Sequence, residues 1–492
     1  MGIARTVSLT GLGGLILVGG VVAVKTVIFS PADVATAEGV VVATGGAEID
    51  ANRAALNLSQ AIRFKTISHQ NPEENQIEEW DKLQLWLTKT YPTAHAAMKR
   101  EIVGGKALVY TWTGSDPSLP AIILMAHQDV VPVTVGTEPD WKYQPFAGQV
   151  AEGAVWGRGS VDDKGSLVSL FEAFDALAQQ GFKPKRTIYM VSGHDEEVGG
   201  TGAKTIASLL QSRGVKALFT LDEGSAIILD EPLTKAPVAL IGIAEKGYAT
   251  LKVTAKAPGG HSSMPPKDTG VINLAKALIA INDKPFPLEL RGPGEKMIAV
   301  LAGQKGGMTK VAVANQWLFS PLLIGQVGKT PTGAAMFHTT IAPTMLEGSP
   351  KENVLPQSAN ALINYRIAPW NQSSDVMQRA KSAVGKLPVE LSWVKEPREP
   401  SKVSSTTSAG WKMIRATIEA ESPQTKIAPF LVVGGTDSRN FQGISDDVYR
   451  FMPVQFKVSD TAMIHGTNEH MPIEDLSRII NFYIRLIKTS AG

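Results

Sequence analysis

The feature that most constrains the fold is a set of apolar, strand-like runs that each end directly in acidic residues. These are residues 121–126 before His127-Gln128-Asp129, residues 186–192 before the stretch Gly193–Gly200, and residues 217–221 before Asp222-Glu223. Nearly continuous apolar runs are typical of strands buried on both faces between helices. Negative charge at such strand ends is costly without a cation. The pattern predicts an α/β fold with a mostly parallel central sheet and a site at its carboxyl edge.

A glycine-rich loop adds two further acids. Asp162 and Asp163 stand just before a helical pattern that begins near Leu167 and stops at Gly181. Acids in this position can simply cap the free N–H groups of the helix. A histidine–aspartate pair such as His127 and Asp129 can likewise be an ordinary surface pair. Taken alone, each feature favours the structural interpretation, and their combination favours a metal site.

Composition limits the chemistry. The 492 residues exceed what one core usually supports, so two domains are expected. A net charge of +2, without a basic cluster interleaved with aromatic residues, argues against nucleic-acid binding. Because the chain has no cysteine, a metal must be held by His, Asp and Glu, which favours hydrolytic chemistry over a structural zinc site.

The N-terminus predicts a membrane or export segment over residues 1–29. Residues 6–24 carry no charge and have the length of a bilayer-spanning helix. A cleaved signal peptide with Ala35-Thr36-Ala37 as its cleavage site is the alternative, although that site lies far beyond the apolar run. Either interpretation places the rest of the chain outside the cytoplasm, bound to a membrane or exported. Residues 30–50 are small and polar and are interpreted as a linker.

The remaining pattern predicts one domain interrupted by another. Residues 51–246 and 399–492 form the first domain, and residues 247–398 form the insert. The insert has a β-α-β-β-α-β order, which fits a two-layer α+β domain. Residues 284–345 extend it with glycine-rich turns and an apolar piece that is interpreted only loosely as helical, and their role stays open.

The residues that follow the strands satisfy the needs of a two-metal hydrolytic site, which requires a bridging ligand, further ligands on each metal and a separate base. Three carboxylates against two divalent ions leave a net charge of about +1, which acidifies a bridging water. Glu196 is a candidate general base, and Asp129 can orient a histidine ligand through its second ring nitrogen. The candidate ligands are His127, Asp162, Glu197, Asp222 and His465.

At these residues the chain resembles the aminoacylase/carboxypeptidase family of di-zinc metallopeptidases, which includes acetylornithine deacetylase and succinyl-diaminopimelate desuccinylase. The resemblance covers roughly residues 50–490. The motifs that carry it are Ala126-His127-Gln128-Asp129, Gly157-Arg158-Gly159-Ser160-Val161-Asp162-Asp163-Lys164-Gly165, Asp195-Glu196-Glu197-Val198-Gly199-Gly200, Leu221-Asp222-Glu223-Gly224, Gly259-Gly260-His261-Ser262-Ser263 and Ile464-His465-Gly466-Thr467-Asn468-Glu469.

The resemblance implies two Zn²⁺ or other divalent ions per subunit, bridged by Asp162. His127 and Asp222 would complete one site, and Glu197 and His465 the other. It makes the interrupted domain catalytic and the insert a lid or dimerisation domain, so a homodimer is expected.

Further roles follow from the same resemblance. Glu196 would be the general base and Asp129 the group that orients His127. His261 would stabilise the oxyanion, from the partner subunit in dimeric relatives. Arg366 would hold the substrate carboxylate, and Gly435 and Thr436 would belong to a substrate-side loop.

The layout of the chain, with its N-terminal segment and long insertion, resembles the carboxypeptidase S and N-fatty-acyl-amino-acid hydrolase branch. The expected function is hydrolysis of an amide bond next to a free carboxylate. The alternative is a non-catalytic binding or scaffold protein that keeps the fold. Every predicted ligand position holds a side chain that can bind a metal, which argues against that alternative.

Overall fold

The computed structural model describes residues 16–30, 34–43 and 49–492. Over these residues the chain divides into two compact units. The larger unit comprises Pro31–Ile243, Ser404–Phe430 and Thr436–Gly492, and the smaller unit comprises Met1–Ser30, Ala244–Val403 and Leu431–Gly435. The predicted insert, residues 247–398, falls within the smaller unit.

The helices and strands of residues 49–492 are numbered here in chain order. The helices are α1 Ala51–Arg63, α2 Ile77–Thr90, α3 Pro92–Ala97, α4 Lys164–Gln179, α5 Thr201–Ser212, α6 Gly270–Asn282, α7 Gly292–Lys305, α8 Gly307–Ala314, α9 Gln316–Val327, α10 Pro331–Ala335, α11 Ser373–Val384, α12 Ala409–Glu421 and α13 Ile473–Ala491. The strands are β1 Lys99–Val103, β2 Ala107–Trp112, β3 Ala121–Met125, β4 Gln149–Ala151, β5 Ala154–Trp156, β6 Ile188–Ser192, β7 Ala217–Asp222, β8 Ile227–Ile228, β9 Val238–Glu245, β10 Gly247–Lys256, β11 Gly260–His261, β12 Thr340–Glu347, β13 Val354–Leu355, β14 Ser358–Ile367, β15 Val389–Trp393, β16 Lys426–Val432, β17 Val448–Arg450, β18 Gln455–Phe456 and β19 His470–Pro472.

The larger unit is built on a twisted sheet with helices on both faces. Its strand order is β1-β2-β6-β3-β7-β17-β9-β8-β18, with β16 paired to β9. The central strands β6, β3, β7 and β17 are parallel, and Ile123 of β3 pairs with Tyr189 on one side and Thr220 on the other. Every residue of β3 is buried. The predicted fold class is therefore confirmed, and the carboxyl ends of three predicted strands lie side by side.

One helical layer of the larger unit carries most of its apolar core. Helix α4 packs against α1 and α13, where Phe171, Phe174 and Ile480 are fully buried. The other face of the sheet is covered by α5, through Ile206 and Leu210. Because both faces are covered, the central strands have no polar face, which explains their continuous apolar runs.

The smaller unit contains an antiparallel sheet of order β12-β14-β10-β15. Residues of β10 alternate between buried and partly exposed, as expected when helices cover only one face. Helices α6 and α11 cover that face and pack on Leu251 and Ile363. The chain order β10-α6-β12-β14-α11-β15 is the predicted β-α-β-β-α-β arrangement, so the two-layer α+β prediction is confirmed.

Residues 284–345 contain helices α7 to α10, but they end in a strand rather than a helix. Strand β12 begins at Thr340, which pairs with Arg366 of β14. Most residues of β12 are exposed and Pro343 interrupts it, so the local sequence pattern did not show the strand. The predicted linker over residues 30–50 is also attached to the larger unit where it is described. The Trp411 indole N–H donates to the carbonyl of Ala35 at 3.0 Å, and the Ala43 N–H donates to Thr489 Oγ1 at 3.1 Å.

The N-terminal prediction lies partly outside the described residues, which begin at 16. Residues 16–28 are helical. Among residues 16–30, 34–43 and 49–492, no helix is both long and apolar enough to cross a bilayer.

Candidate active site

The predicted site residues of the larger unit follow the carboxyl ends of adjacent parallel strands. His127 follows β3, Glu197 lies in a short 3₁₀ turn after β6, and Asp222 is the last residue of β7. Asp162 comes from the loop before α4, and His465 from the loop before β19. The Asp162–Asp163 peptide bond is cis. The fold thus brings residues from five separate segments to one edge of the sheet.

Asp162 lies at the centre of the cluster. Its Oδ1 is 2.9 Å from His127 Nε2, and its Oδ2 is 3.1 Å from His465 Nε2. His465 Nε2 is also 3.2 Å from Glu197 Oε2. One carboxylate therefore stands between two imidazoles, each of which faces a different oxygen.

Asp129 contacts both His127 and the acidic turn after β6. Its backbone carbonyl oxygen is 3.0 Å from His127 Nδ1, and its Oδ1 is 3.3 Å from the same nitrogen. The same carboxylate accepts hydrogen bonds from the backbone N–H groups of Glu196 and Glu197, each at 3.1 Å, and from Ser68 Oγ at 2.6 Å. Because it is fully buried and satisfied from three sides, it holds the His127 ring and the Glu196–Glu197 backbone in one arrangement.

Two adjacent acids stand at the end of β7, where the sequence analysis predicts Asp222 as a ligand. The carboxylate of Asp222 accepts from the backbone N–H of Glu223 at 3.0 Å and from that of Ser438 at 2.9 Å. Glu223 Oε1 lies 3.9 Å from His127 Nε2. Glu223 therefore has a carboxylate oxygen near His127, and Asp222 contacts the loop that contains Ser438.

The electrostatics of the cluster show an excess of buried negative charge. Burial, together with the charge of Asp162, raises the pKa of Glu197 to about 7. Burial and the charges of Asp162 and Asp163 raise the pKa of Glu223 well above its ordinary value. Burial would lower the pKa of His127, but Asp129 and Asp162 outweigh it and raise that pKa well above its usual range.

The donor set fits divalent cations. Ligand atoms of His127, Asp162 and Glu197 lie within 4.8 Å of one another. Glu197 Oε1 is buried and has no hydrogen-bond partner among the described residues. Imidazole and carboxylate donors suit zinc, and a cation would balance the buried charge.

The sequence of the segments that carry these residues matches one protein family. The profile of "Peptidase family M20/M25/M40" matches residues 123–489, which include all five predicted ligands. The chain belongs to this peptidase family.

Curated relatives of this M20 peptidase carry related names. It is 35% identical over 443 residues to "Probable carboxypeptidase S-like 2" of Dictyostelium discoideum, covering 89% of this chain and 85% of that protein. It is 34% identical to human "N-fatty-acyl-amino acid synthase/hydrolase PM20D1", covering 88% and 87%. It is 31% identical to "Carboxypeptidase S" of Saccharomyces cerevisiae, covering 86% and 81%. This M20 peptidase is therefore a metal-dependent amide-bond hydrolase, and the scaffold alternative is not supported.

Solved structures share the fold at lower identity. An M20 family metallo-carboxypeptidase from Sulfolobus solfataricus aligns with a TM-score of 0.64 and 17% identity, over 88% of this chain and 98% of that one. Human carnosine dipeptidase 1 aligns with a TM-score of 0.60 and 14% identity, over 89% and 97%.

The other predicted residues are divided between the two units. His261, Arg366 and Gly435 lie in the smaller unit, and Thr436 in the larger. His261 is exposed, and its Nδ1 is 2.7 Å from Ser263 Oγ. The Arg366 guanidinium lies 4.8 Å from the ring centroid of Tyr248. Thr436 is buried, and its Oγ1 is 2.6 Å from Ser438 Oγ, next to Asp222. Their roles stay predictions.

Asp437 is a buried acid to which the sequence analysis assigned no role. Its carboxylate lies between Gly193 and Gly200, and a Cβ at either glycine would overlap one of its oxygens. Burial and the charge of Asp222 raise the pKa of Asp437 well above its ordinary value. The two glycines that flank the Glu196–Glu197 turn are therefore needed to admit this carboxyl group.

Glu469 is a second residue whose role the sequence analysis missed. Its buried carboxylate accepts from Arg158 Nη1 at 2.7 Å and from the backbone N–H groups of Gly159, Val161 and Asp162 at 2.9 to 3.1 Å. Glu469 follows His465 by four residues. It therefore ties the loop that carries His465 to the loop that carries Asp162.

We expect Glu469→Ala to lower the free energy of unfolding by about 3–5 kcal/mol, because it leaves Arg158 buried without its charge partner. Urea denaturation followed by tryptophan fluorescence measures the change. The exposed Lys256–Glu390 pair, at 2.9 Å, provides the matched control. Glu390→Ala should cost less than about 1 kcal/mol. Equal effects for the two variants would contradict the anchoring role of Glu469.

Proposed function

We propose that this M20 peptidase is a di-zinc hydrolase that cleaves an amide bond adjacent to a free carboxylate. The observation that carries the proposal is the position of Asp162, whose two oxygens face two different histidines. A bridging carboxylate in a two-metal hydrolytic site requires this arrangement.

The ligand proposal differs from the sequence prediction at one residue. His127, Asp162 and Glu223 would hold one cation, and Asp162, Glu197 and His465 the other. Asp222 would position the loop containing Ser438 instead of binding metal directly. When bound, two divalent cations supply Lewis-acid polarisation of the scissile carbonyl and lower the pKa of a water molecule.

The chain's own groups then move the protons. Glu196 takes the proton of the attacking water and returns it to the leaving amine, so it needs to be an unligated carboxylate beside the ligands. Its backbone N–H is held by Asp129. Burial, together with Asp437 and Glu197, raises the pKa of Glu196 well above its ordinary value, which suits a group that both accepts and donates a proton.

The ligand at the end of β7 can be identified by metal analysis of two isosteric variants. Glu223→Gln should reduce bound zinc from two ions to one per chain, because it removes the donor that faces His127. Asp222→Asn should retain more zinc, because it weakens the hydrogen bonds that the Asp222 carboxylate accepts from backbone N–H groups and removes no metal ligand. Inductively coupled plasma mass spectrometry after dialysis measures both. If Asp222→Asn lost zinc and Glu223→Gln did not, the ligand would be Asp222 rather than Glu223.

The substrate class is proposed from the relatives together with Arg366. The named relatives include carboxypeptidases and N-fatty-acyl-amino acid hydrolases, both of whose substrates present a carboxylate beside an amide. A planar guanidinium binds a carboxylate in bidentate fashion. Hydrolysis rates for N-acyl amino acids, for N-blocked dipeptides, and for the methyl ester of each should be compared. Substrates with a free carboxylate should be preferred, and equal rates for acids and esters would contradict the proposal.

We further propose that the chain works outside the cytoplasm as a homodimer. The uncharged segment 6–24 supports export or anchoring, and the family resemblance supports dimerisation through the smaller unit. Alkaline phosphatase fused to the C-terminus, together with analytical ultracentrifugation of the purified chain, tests both statements. An inactive fusion would contradict the location outside the cytoplasm, and a monomer would contradict the homodimer.

A further inference from the structure

Helix α9 in the smaller unit is unusual because it is apolar without being buried. Its sequence, Gln316–Val327, contains no charged residue, and none of its residues is buried. Trp317, Leu318 and Leu322 are 53%, 42% and 65% exposed. A helix this apolar normally packs in a core, so its exposed face requires another explanation.

The N-terminal helix, residues 16–28, packs beside α9 in the same unit. The buried Asn315, just before α9, donates from Nδ2 to Thr26 Oγ1 at 3.1 Å and to the carbonyl of Val22 at 3.3 Å. Lys25 Nζ lies 5.8 Å from the ring centroid of Trp317. The two helices therefore present one shared surface, here called the N-terminal/α9 face. Its exposed apolar side chains include Leu17, Val27, Ile28, Trp317, Leu318 and Leu322.

The charged residues of the two segments that form this face have one sign. Lysines occur at 25, 296, 305, 310 and 329. No acidic residue occurs between positions 296 and 337, or among the first 30 residues. An apolar surface bordered by lysines and a tryptophan is typical of a segment that lies in the interfacial layer of a bilayer with anionic headgroups.

We propose that the N-terminal/α9 face binds the surface of an anionic lipid bilayer. The exposed leucine and valine side chains enter the boundary between headgroups and acyl chains, Trp317 lies at headgroup level, and the lysines contact the anionic headgroups. This mode does not require a helix that crosses the membrane. It assigns to part of the 284–345 insertion a role independent of hydrolysis.

A bilayer explains the face better than a second copy of the chain does. Protein–protein interfaces with a similarly apolar centre have a polar rim that forms direct hydrogen bonds. Here the charged residues of the two contributing segments are all basic, so two copies meeting through this face would bring like charges together. An anionic lipid surface accepts both the apolar centre and the basic border.

Vesicle binding of the full-length protein tests the proposal. Flotation with phosphatidylcholine vesicles, with and without phosphatidylglycerol, gives the partition coefficient. Each of Leu318→Ser and Leu322→Ser should reduce it about 10-fold, which is the loss expected for removing one partly inserted leucine. Val135→Ser, which alters a valine that is 92% exposed elsewhere in the chain, is the matched control and should change nothing. Binding should increase with phosphatidylglycerol and decrease with salt.

Quenching of tryptophan fluorescence by brominated lipids separates α9 from the N-terminal segment. Quenching should occur in the wild-type protein and decrease strongly in Trp317→Phe, since the other eight tryptophans, all of them among the described residues, are buried or only partly exposed. Unchanged hydrolysis of a water-soluble substrate by the leucine variants confirms that they fold. Equal partitioning of wild-type and leucine variants, or unchanged quenching in Trp317→Phe, would overturn the proposal. So would a dimer that dissociates in the leucine variants without any vesicle binding, because the face would then bind a second copy.

Discussion

Replacing Glu196 with glutamine should lower kcat by about 10²–10⁴-fold, the usual contribution of a general base. Glutamine has nearly the same shape but cannot take a proton from water. Bound zinc should stay at the wild-type level, because the proposed ligands are other side chains, and KM should change little. Steady-state kinetics and metal analysis of the same preparation measure these quantities together.

The matched control is Glu74→Gln, which makes the same change at an exposed position in a short 3₁₀ turn. It should keep full activity. Wild-type kcat in Glu196→Gln would remove Glu196 as the base. Loss of zinc in that variant would instead make Glu196 a ligand, and the division of roles between the two adjacent glutamates would be wrong.

Replacing Asp162 with alanine should abolish both metal binding and hydrolysis. Among the described residues, Asp162 is the side chain whose oxygens face both His127 and His465, so its loss removes a ligand from each proposed site. Activity should decrease to the uncatalysed rate, about 10⁶-fold or more below the wild-type rate.

His465→Ala provides the comparison for Asp162→Ala. It removes one ligand from only one proposed site, so one zinc ion per chain should remain in place. Mass spectrometry of the native proteins distinguishes zero, one and two bound ions. Equal zinc content in the two variants would contradict a bridging role for Asp162. A bridging carboxylate binds the metals of both sites, whereas His465 would bind the metal of only one.

Most of the site was predictable from the sequence because its residues follow strongly patterned strands. The apolar runs that become β3, β6 and β7 are each buried on both faces, so their ends could be located to within a residue or two. His127, Asp162, Glu197 and His465 come together in the structure as predicted. Their functional roles stay predictions.

The choice between Asp222 and Glu223 could not be made from the sequence. Successive side chains of a strand point to opposite faces, and Asp222 is the last residue of β7, so a shift of one residue decides which carboxylate faces His127. The contact behind the proposal of Glu223 is the hydrogen bond from the Ser438 N–H to Asp222, across 216 positions of the chain. No local pattern contains that information.

The same limitation applies to Glu469 and to α9. Glu469 interacts with a loop more than 300 residues earlier, and a glutamate before a strand has no local signal of such a role. Helix α9 shows its apolar character in the sequence, yet apolar character alone predicts burial. Only the structure shows that its apolar side chains are exposed rather than packed in a core.

Anomalous diffraction at the zinc edge, from crystals of the zinc-loaded protein, tests the central claim most directly. The account predicts two peaks per chain, one on each side of the Asp162 carboxylate, with His127 beside one and His465 beside the other. A single peak, or peaks that Asp162 does not contact, would contradict it.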